Sequence, residues 1–383
     1  MRTGSLRLAA GTLALALPLA AAAGCGAEKK RTVKAEFASA QTNLESSKGA
    51  SFTIRVHDAQ GNLKKTAIKE GSLASTLADA LVGASVTYTI DPAGDKTLKQ
   101  MSGAGTSLSA ESLKAGNLAF VIRDDKTVLG EIRVVAGVLY LHLDLAEIGR
   151  LAKAGGVDDF DAQLDSFGTD GPPEFAALIK DLRAGKWLSL DAGKYVDQLT
   201  KLGEGFLGAT ATPAPFDAKG LGGDLFAAVK PYVQVTDAND SSKDRVLDVT
   251  VQVRPALKAA LDVLKANKDL PFASLLDGAS AADIDKNITD GTAKGRITLS
   301  DGHLTSFSVD LESIRTLAPK PGTTSLAGVS VVVDVDDSAD EVKAPTDVSS
   351  VKVDDLIQQL LDGFSNSGGS TGFGTTMPDA YQG

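Results

Sequence analysis

Along much of this chain apolar and polar residues alternate one by one, and that period of two constrains the fold more than anything else in the sequence. Phe52, Ile54 and Val56 alternate with Thr53, Arg55 and His57, and Val86, Tyr88 and Ile90 alternate with Thr87 and Thr89. Leu139, Leu141 and Leu143 alternate with Tyr140 and His142, and Leu247, Val249, Val251 and Val253 with Asp248, Thr250 and Gln252. Phe307, Val309 and Leu311 alternate with Ser306, Ser308 and Asp310, and Val329, Val331, Val333 and Val335 close the series. Successive side chains of a strand point to opposite faces, so each segment has one apolar and one wetter face, as antiparallel sheets do.

Short turn signals join neighbouring strands. Ala136-Gly137 separates segments near 131–135 and 138–144, and Asp301-Gly302 separates 294–300 from 303–311, the latter a two-residue hairpin signal. Asn239-Asp240-Ser241 makes a longer polar turn. At mean strand length the chain holds about ten to twelve strands. Hydrophobic residues make up 43% of the chain but aromatics only 5%, so the core is built mainly of Val, Leu, Ile and Ala.

Helical spacing interrupts the strands. Val33, Phe37, Ala40 and Leu44 give an amphipathic helix ending near Lys48-Gly49. Asp144 caps a helix carrying Leu145, Ile148 and Leu151, while Phe175, Leu178, Ile179 and Leu182 follow Pro172-Pro173. Tyr195, Leu199 and Leu202 follow Asp191, and Leu257, Leu261 and Leu264 follow Pro255. Val353, Ile357, Leu360, Leu361 and Phe364 form a last helix over 349–364, and 365–383 is Gly/Ser/Thr-rich and expected to be disordered. The Gly-, Pro- and helix-rich stretch 145–230 separates two strand-rich parts. It reads as an elaboration within one domain over 33–348, with a split into two domains as the alternative.

Cys25 is the only cysteine, so no disulfide forms within a monomer and the core alone must hold the fold. Ahead of it come Arg2 and Arg7, an apolar stretch from Leu8 to Ala23, and Ala22-Ala23-Gly24-Cys25. That order predicts a signal peptide over 1–24, since the apolar stretch falls short of the roughly 20 residues of a spanning helix. The tetrapeptide resembles a lipobox, with Ala22 where such sites usually have a larger aliphatic residue. Lipidation of Cys25 would leave 25–32 as a tether and anchor the chain to the outer face of the cell membrane. The other reading is a secreted protein whose cysteine is incidental. Lys29, Lys30, Arg31 and Lys34 follow the anchor and suit either anionic headgroups or a solvated linker.

Cleavage at Cys25 removes Arg2 and Arg7 and leaves 37 basic against 49 acidic residues, a net charge of −12. An acidic chain with no long basic stripe would repel nucleic-acid phosphates, so no nucleic-acid partner is expected. Catalytic signatures are missing too. His57, His142 and His303 are scattered without ligand spacing, and no Gly-x-Ser-x-Gly elbow occurs. Ser349-Ser350-Val351-Lys352 matches Ser-x-x-Lys without its companion motifs. Asp334, Asp336, Asp337, Asp340 and Glu341, like Asp237, Asn239 and Ser241, lack the loop pattern of a calcium site and read as solvated turns. No cofactor, no metal and no enzymatic activity are expected.

An ordered set of segments carries a family resemblance. It runs from the first helix and Ser51–Val56, through Arg133-Val134-Val135-Ala136-Gly137-Val138-Leu139-Tyr140-Leu141, to Gly185-Lys186-Trp187. It continues with Arg245–Val253 running into Pro255, the hairpin at Asp301-Gly302, and Val342-Lys343-Ala344-Pro345. In this order the chain resembles actinobacterial lipoproteins of the LprG/LppX kind and, more distantly, the LolA and LolB carriers. The resemblance implies an α+β fold, a strongly curved antiparallel half-barrel with helices on its concave side. Between them would lie a cavity for acyl lipid or lipoglycan that the protein carries or shields. Candidate lining residues are Phe52, Ile54, Val56, Leu139, Leu141, Leu143, Val249, Val251, Phe307 and Val309. Periodicity alone favours a filled core over a cavity, and the alternative is then a structural or protein-interaction lipoprotein with no ligand.

Overall fold

The computed structural model describes residues 33–65, 72–102, 114, 116–154, 156–170, 173–192, 218–240, 244–267, 279–319 and 325–349. The expected signal peptide, Cys25 and its tether, the helix around Tyr195–Leu202, the last helix and the C-terminal tail lie outside these residues.

One antiparallel sheet of eleven strands organises the chain, curved and not closed on itself. Its strands are β1 (Ala50–Asp58), β2 (Ala84–Pro92), β3 (Gly116–Asp124), β4 (Thr127–Val135), β5 (Val138–Leu143) and β6 (Leu188–Asp191), then β7 (Val233–Asp240), β8 (Asp244–Gln252), β9 (Thr292–Ser300), β10 (His303–Asp310) and β11 (Val329–Asp336). The spatial order is β6-β5-β4-β3-β2-β1-β11-β10-β9-β8-β7. Each half is a meander of sequence neighbours, and the two halves meet only where β1 pairs with β11 along Ser51–Asp58 and Val329–Asp336. A single sheet therefore carries both strand-rich parts, and β6 and β7, consecutive in sequence, are its opposite edges.

The hairpins use the turn chemistry read from the sequence. Ala136 and Gly137 have φ of 53° and 86°, and Asp301 and Gly302 have 50° and 81°, so each turn needs two left-handed residues and places Gly second. A third tight turn, with Asp125 at φ 49°, joins β3 to β4.

Ten α-helices and one 3₁₀ turn (Lys230–Tyr232) accompany the strands among the described residues. In chain order the α-helices are α1 (Val33–Ser46), α2 (Ser72–Gly83), α3 (Leu98–Ser102), α4 (Leu145–Ala154), α5 (Phe160–Asp170), α6 (Pro173–Arg183), α7 (Ala218–Val229), α8 (Val253–Ala266), α9 (Ala281–Asn287) and α10 (Leu311–Arg315). Asp144 caps α4 as expected: its carboxylate accepts the Glu147 N–H at 3.0 Å. Pro173 opens α6, where its missing N–H costs nothing. Ser280 caps α9 through the Asp283 N–H, and Asp310 caps α10 through the Glu312 N–H.

The apolar phase of every strand falls on one face, because directly paired residues share a side. One row runs Leu143, Gly130, Ile122, Val86, Ile54, Val333, Phe307, Ile297 and Leu247 across the sheet. Two helical groups cover this face at its ends. At one end Phe37 and Ala40 of α1 and Ala256 and Ala260 of α8 seal Leu247, Val249, Val251, Ile297, Phe307 and Val333. At the other, Leu145 and Ile148 of α4, Leu164 of α5 and Leu178 and Leu182 of α6 pack on Leu141, Leu143 and Leu188. The second face carries polar ladders, among them Thr53–Thr87 at 3.0 Å and Arg55–Asp334 at 2.8 Å.

Candidate functional site

Between the two sealed ends the described residues leave the apolar face partly uncovered. Over β1 to β4, Ile54 is 40% exposed, Phe120 37%, Ile122 38% and Ile132 38%. On the same face, Phe307 is 5% exposed and Val249 1%. The open stretch is a groove, floored by Phe52, Ile54, Val86, Tyr88, Phe120, Ile122 and Ile132, with α4–α6 on one side and α1, α7 and α8 on the other. From β4 to β1 there are three inter-strand steps, about 14 Å at the usual strand spacing. At the end of the groove where α2 runs into β2, Leu81 and Val82 are also exposed.

All ten residues singled out from the sequence lie on this one face, but they do not stand together. From β5 to β8 is eight strand steps, about 38 Å along the sheet. Val249, Val251 and Phe307 belong to the sealed cluster, with Phe52 packed against its border, and Val309 is buried too. Leu141 and Leu143 pack beneath α4–α6, while Leu139 and Val56 are half-buried. Of the ten, only Ile54 is strongly exposed. Phe120, Ile122 and Ile132, the floor of the groove, were not picked out by sequence reading, although Leu118, Phe120 and Ile122 do alternate.

One polar group interrupts the floor. Tyr88 pairs with Phe52 on one side and Phe120 on the other, and among the described residues its hydroxyl has no hydrogen-bond partner. Burial raises the phenol pKa above its usual value, because the charged form loses solvation there.

A strap after β11 fastens the groove-bearing half from behind. The buried Asp91 carboxylate accepts the Val342 N–H and the Asn117 amide, both at 3.0 Å. Arg133 donates to the Lys343 carbonyl at 2.9 Å and to Glu131 at 2.7 Å, and its guanidinium lies 4.6 Å over the Trp187 ring. His142 stacks on the same indole with centroids 5.2 Å apart. Trp187 then exchanges backbone hydrogen bonds with the strap, donating to Asp347 and accepting from Ser349. The Ser349 hydroxyl reaches Asp181 on α6 at 2.5 Å. The strap thus passes the β6 edge and ends against the helical layer of the apolar face.

The other sequence candidates are engaged separately. His303 meets Asp337 at 2.5 Å, Asp334 binds Arg55, and Asp336 accepts from Ser338. Asp237 and Glu36 share Arg245. Among the described residues, no three His, Cys, Asp or Glu side chains are grouped to hold a metal ion, and no helix is long and apolar enough to cross a membrane. A depression lined by Asp224, Ala227, Val263, Ala266 and Asn267 lies between α7 and α8 and brings together no reactive groups.

No family model matches the sequence, and no curated protein matches it. Among solved structures the chain is similar to the crystal structure of the Mycobacterium tuberculosis lipoprotein LppX. The likeness has 9% identity over 81% of this chain and 97% of that one, with a TM-score of 0.28. A likeness this distant adds nothing to what the geometry of the groove says.

Proposed function

We propose that this chain is a membrane-anchored cell-envelope lipoprotein that takes the acyl chains of a lipid or lipoglycan into the groove over β1–β4 and shields them. One observation carries the reading: a single continuous apolar face is sealed at both ends and open in the middle. A filled core would bury Ile54, Phe120, Ile122 and Ile132 as it buries Val249 and Phe307. Leaving four large apolar side chains exposed sacrifices about 25 cal/mol for every Å² not buried, which a stored acyl chain would recover. The expected lipid anchor at Cys25 holds the groove beside a bilayer, where acyl chains are the abundant apolar partner. Tyr88 is then the one polar group placed to meet an ester or headgroup oxygen among otherwise apolar walls.

Native mass spectrometry of a Cys25→Ala form purified from the cell envelope, followed by lipid extraction, tests this. Adducts of acyl-lipid mass that are lost on extraction are the expected result. A bare polypeptide mass, together with no uptake of a dansyl-labelled long-chain fatty acid, would overturn it and leave a protein-interaction role for the open face.

A further inference from the structure

We infer that α4–α6 form a movable wall of the groove, which swings outward about the β5–β6 pair to admit a ligand and is held inward by the Arg150–Asp124 ion pair. This inference rests on the lipid-binding reading and adds how the groove is entered.

Connectivity makes the three helices one excursion from the sheet. The chain leaves at Leu143, the end of β5, and returns at Leu188, the start of β6, and Leu141 and Leu188 are directly paired. The excursion is therefore attached to the sheet along a single line. Its helices hold to one another: the Phe160 ring of α5 lies against Gly149 of α4, where a Cβ would stand 3.1 Å from it, and Arg183 of α6 reaches Asp165 of α5 at 2.7 Å. Their seat on the sheet is slight. Leu145, Leu182 and Leu188 are the buried residues of this cluster, whereas fifteen make up the one beneath α1 and α8. Few buried apolar contacts mark a part of a fold that opens at low cost.

Two side-chain pairs tie the wall to elements beyond that line. Asp181 of α6 takes the Ser349 hydroxyl of the strap at 2.5 Å. At the end of the groove, Arg150 of α4 reaches Asp124, the last residue of β3, at 3.3 Å. Asp124 has the phase of Ile122, so it stands on the apolar face one row beyond the open floor. The same carboxylate lies against α2, since a Cβ on Gly83 would come within 2.6 Å of its Oδ1. One side chain thus meets wall, floor and α2 together. The other partner of Arg150, Glu147 at 2.5 Å, is on α4 itself and steadies the guanidinium without tying the wall to anything. With the Arg150 side chain 56% exposed the pair is weak, so it opens and closes readily, and its loss shifts the balance by about two- to five-fold. A ligand that needs the wall outward binds more weakly by the fraction of molecules already in that state, and removing the pair raises that fraction.

The test uses the full mature chain bearing Cys25→Ala, with Arg150→Gln and, separately, Asp124→Asn added to it. Each should tighten binding of the dansyl-labelled fatty acid about two- to five-fold. Hydrogen exchange followed by mass spectrometry should show 145–154 and 173–183 exchanging faster together, while 245–252 and 292–310 keep their protection. A purely local effect of losing the Arg150–Glu147 pair would stay within 145–154. Exchange confined in that way, or unchanged affinity in a chain that does take up the probe, would overturn the inference while lipid binding stands. If no form takes up the probe but α4 and α6 loosen together, the wall moves and the lipid reading fails.

Discussion

Ile54 and Val333 are directly paired across the β1–β11 junction, yet Ile54 is 40% exposed and Val333 4%. The two side chains have similar character and share one face, so neither local sequence nor strand geometry separates them. What differs is the helix overhead: Val333 lies within the cluster that α1 and α8 seal, and Ile54 lies one strand beyond it. The border between packed core and open groove thus runs between two adjacent strands, where the two meanders of the sheet meet.

That border predicts opposite responses to the same insertion. Val249→Trp adds bulk to a sealed cluster and should cost about 1–3 kcal/mol or more. At about 2–4 °C per kcal/mol for a domain of this size, the melting temperature should fall by several degrees. Ile122→Trp places its ring over the open floor, so it should melt close to wild type and still lower uptake of the fatty-acid probe. Calorimetry and fluorescence titration of both variants measure this. An equal loss of stability in both would show that the middle of the face is packed as well.

Tyr88→Phe separates folding from recognition. The hydroxyl has no partner among the described residues, so deleting it breaks no hydrogen bond and stability should hold or rise slightly. A ligand oxygen that meets this hydroxyl would be worth about 0.5–1.5 kcal/mol, so probe affinity should fall roughly two- to ten-fold. Unchanged affinity would place the polar end of the ligand elsewhere.

Much of the architecture is legible in the residues, and the groove is not. The alternating segments, the turns at Ala136-Gly137 and Asp301-Gly302, the Asp144 cap and the Pro173 start all act locally, and each appears where its chemistry puts it. α2 gave no such signal, because Ser72–Gly83 is Ala- and Leu-rich on all sides and carries no acidic residue in its first turn. The pairing of β1 with β11 joins residues some 280 positions apart, and nothing in either strand names its partner. Which stretch of the apolar face stays open depends on where α1, α4 and α8 come to rest. Val249 and Ile122 therefore look alike in sequence and differ only in the folded chain.

Cys25→Ala tests the anchor on which the proposed location depends. A diacylglyceryl thioether supplies two chains, at about 0.8 kcal/mol per buried methylene, and two chains suffice for stable residence in a bilayer. The variant should move from the membrane fraction to the medium or a soluble envelope pool, as immunoblots of the fractions would show. Wild-type recovery with the membranes would mean that something other than Cys25 holds the protein there.

Asp181 gives the strap a pH dependence whose sign follows from its partners. The Ser349 hydroxyl, and after it Lys186, hold the Asp181 carboxyl below its ordinary value of 3.8. A carboxylate whose pKa is lower in the folded chain contributes stability that is complete above the unfolded value and is lost as pH falls through the folded one. At pH 6 the Asp181→Asn variant should therefore melt below wild type, and amide exchange at Ser349 should be faster, because a charged acceptor has been replaced by a neutral one. As the pH is lowered through 4 and below, wild-type Asp181 protonates, its advantage fades and the two melting curves converge. A stability difference that stays constant from pH 6 down to 3 would mean that the charge on Asp181 does not hold the strap, which then rests on its other contacts, among them the Asp91–Val342 hydrogen bond, the Trp187 backbone pairing and the Arg133 contacts.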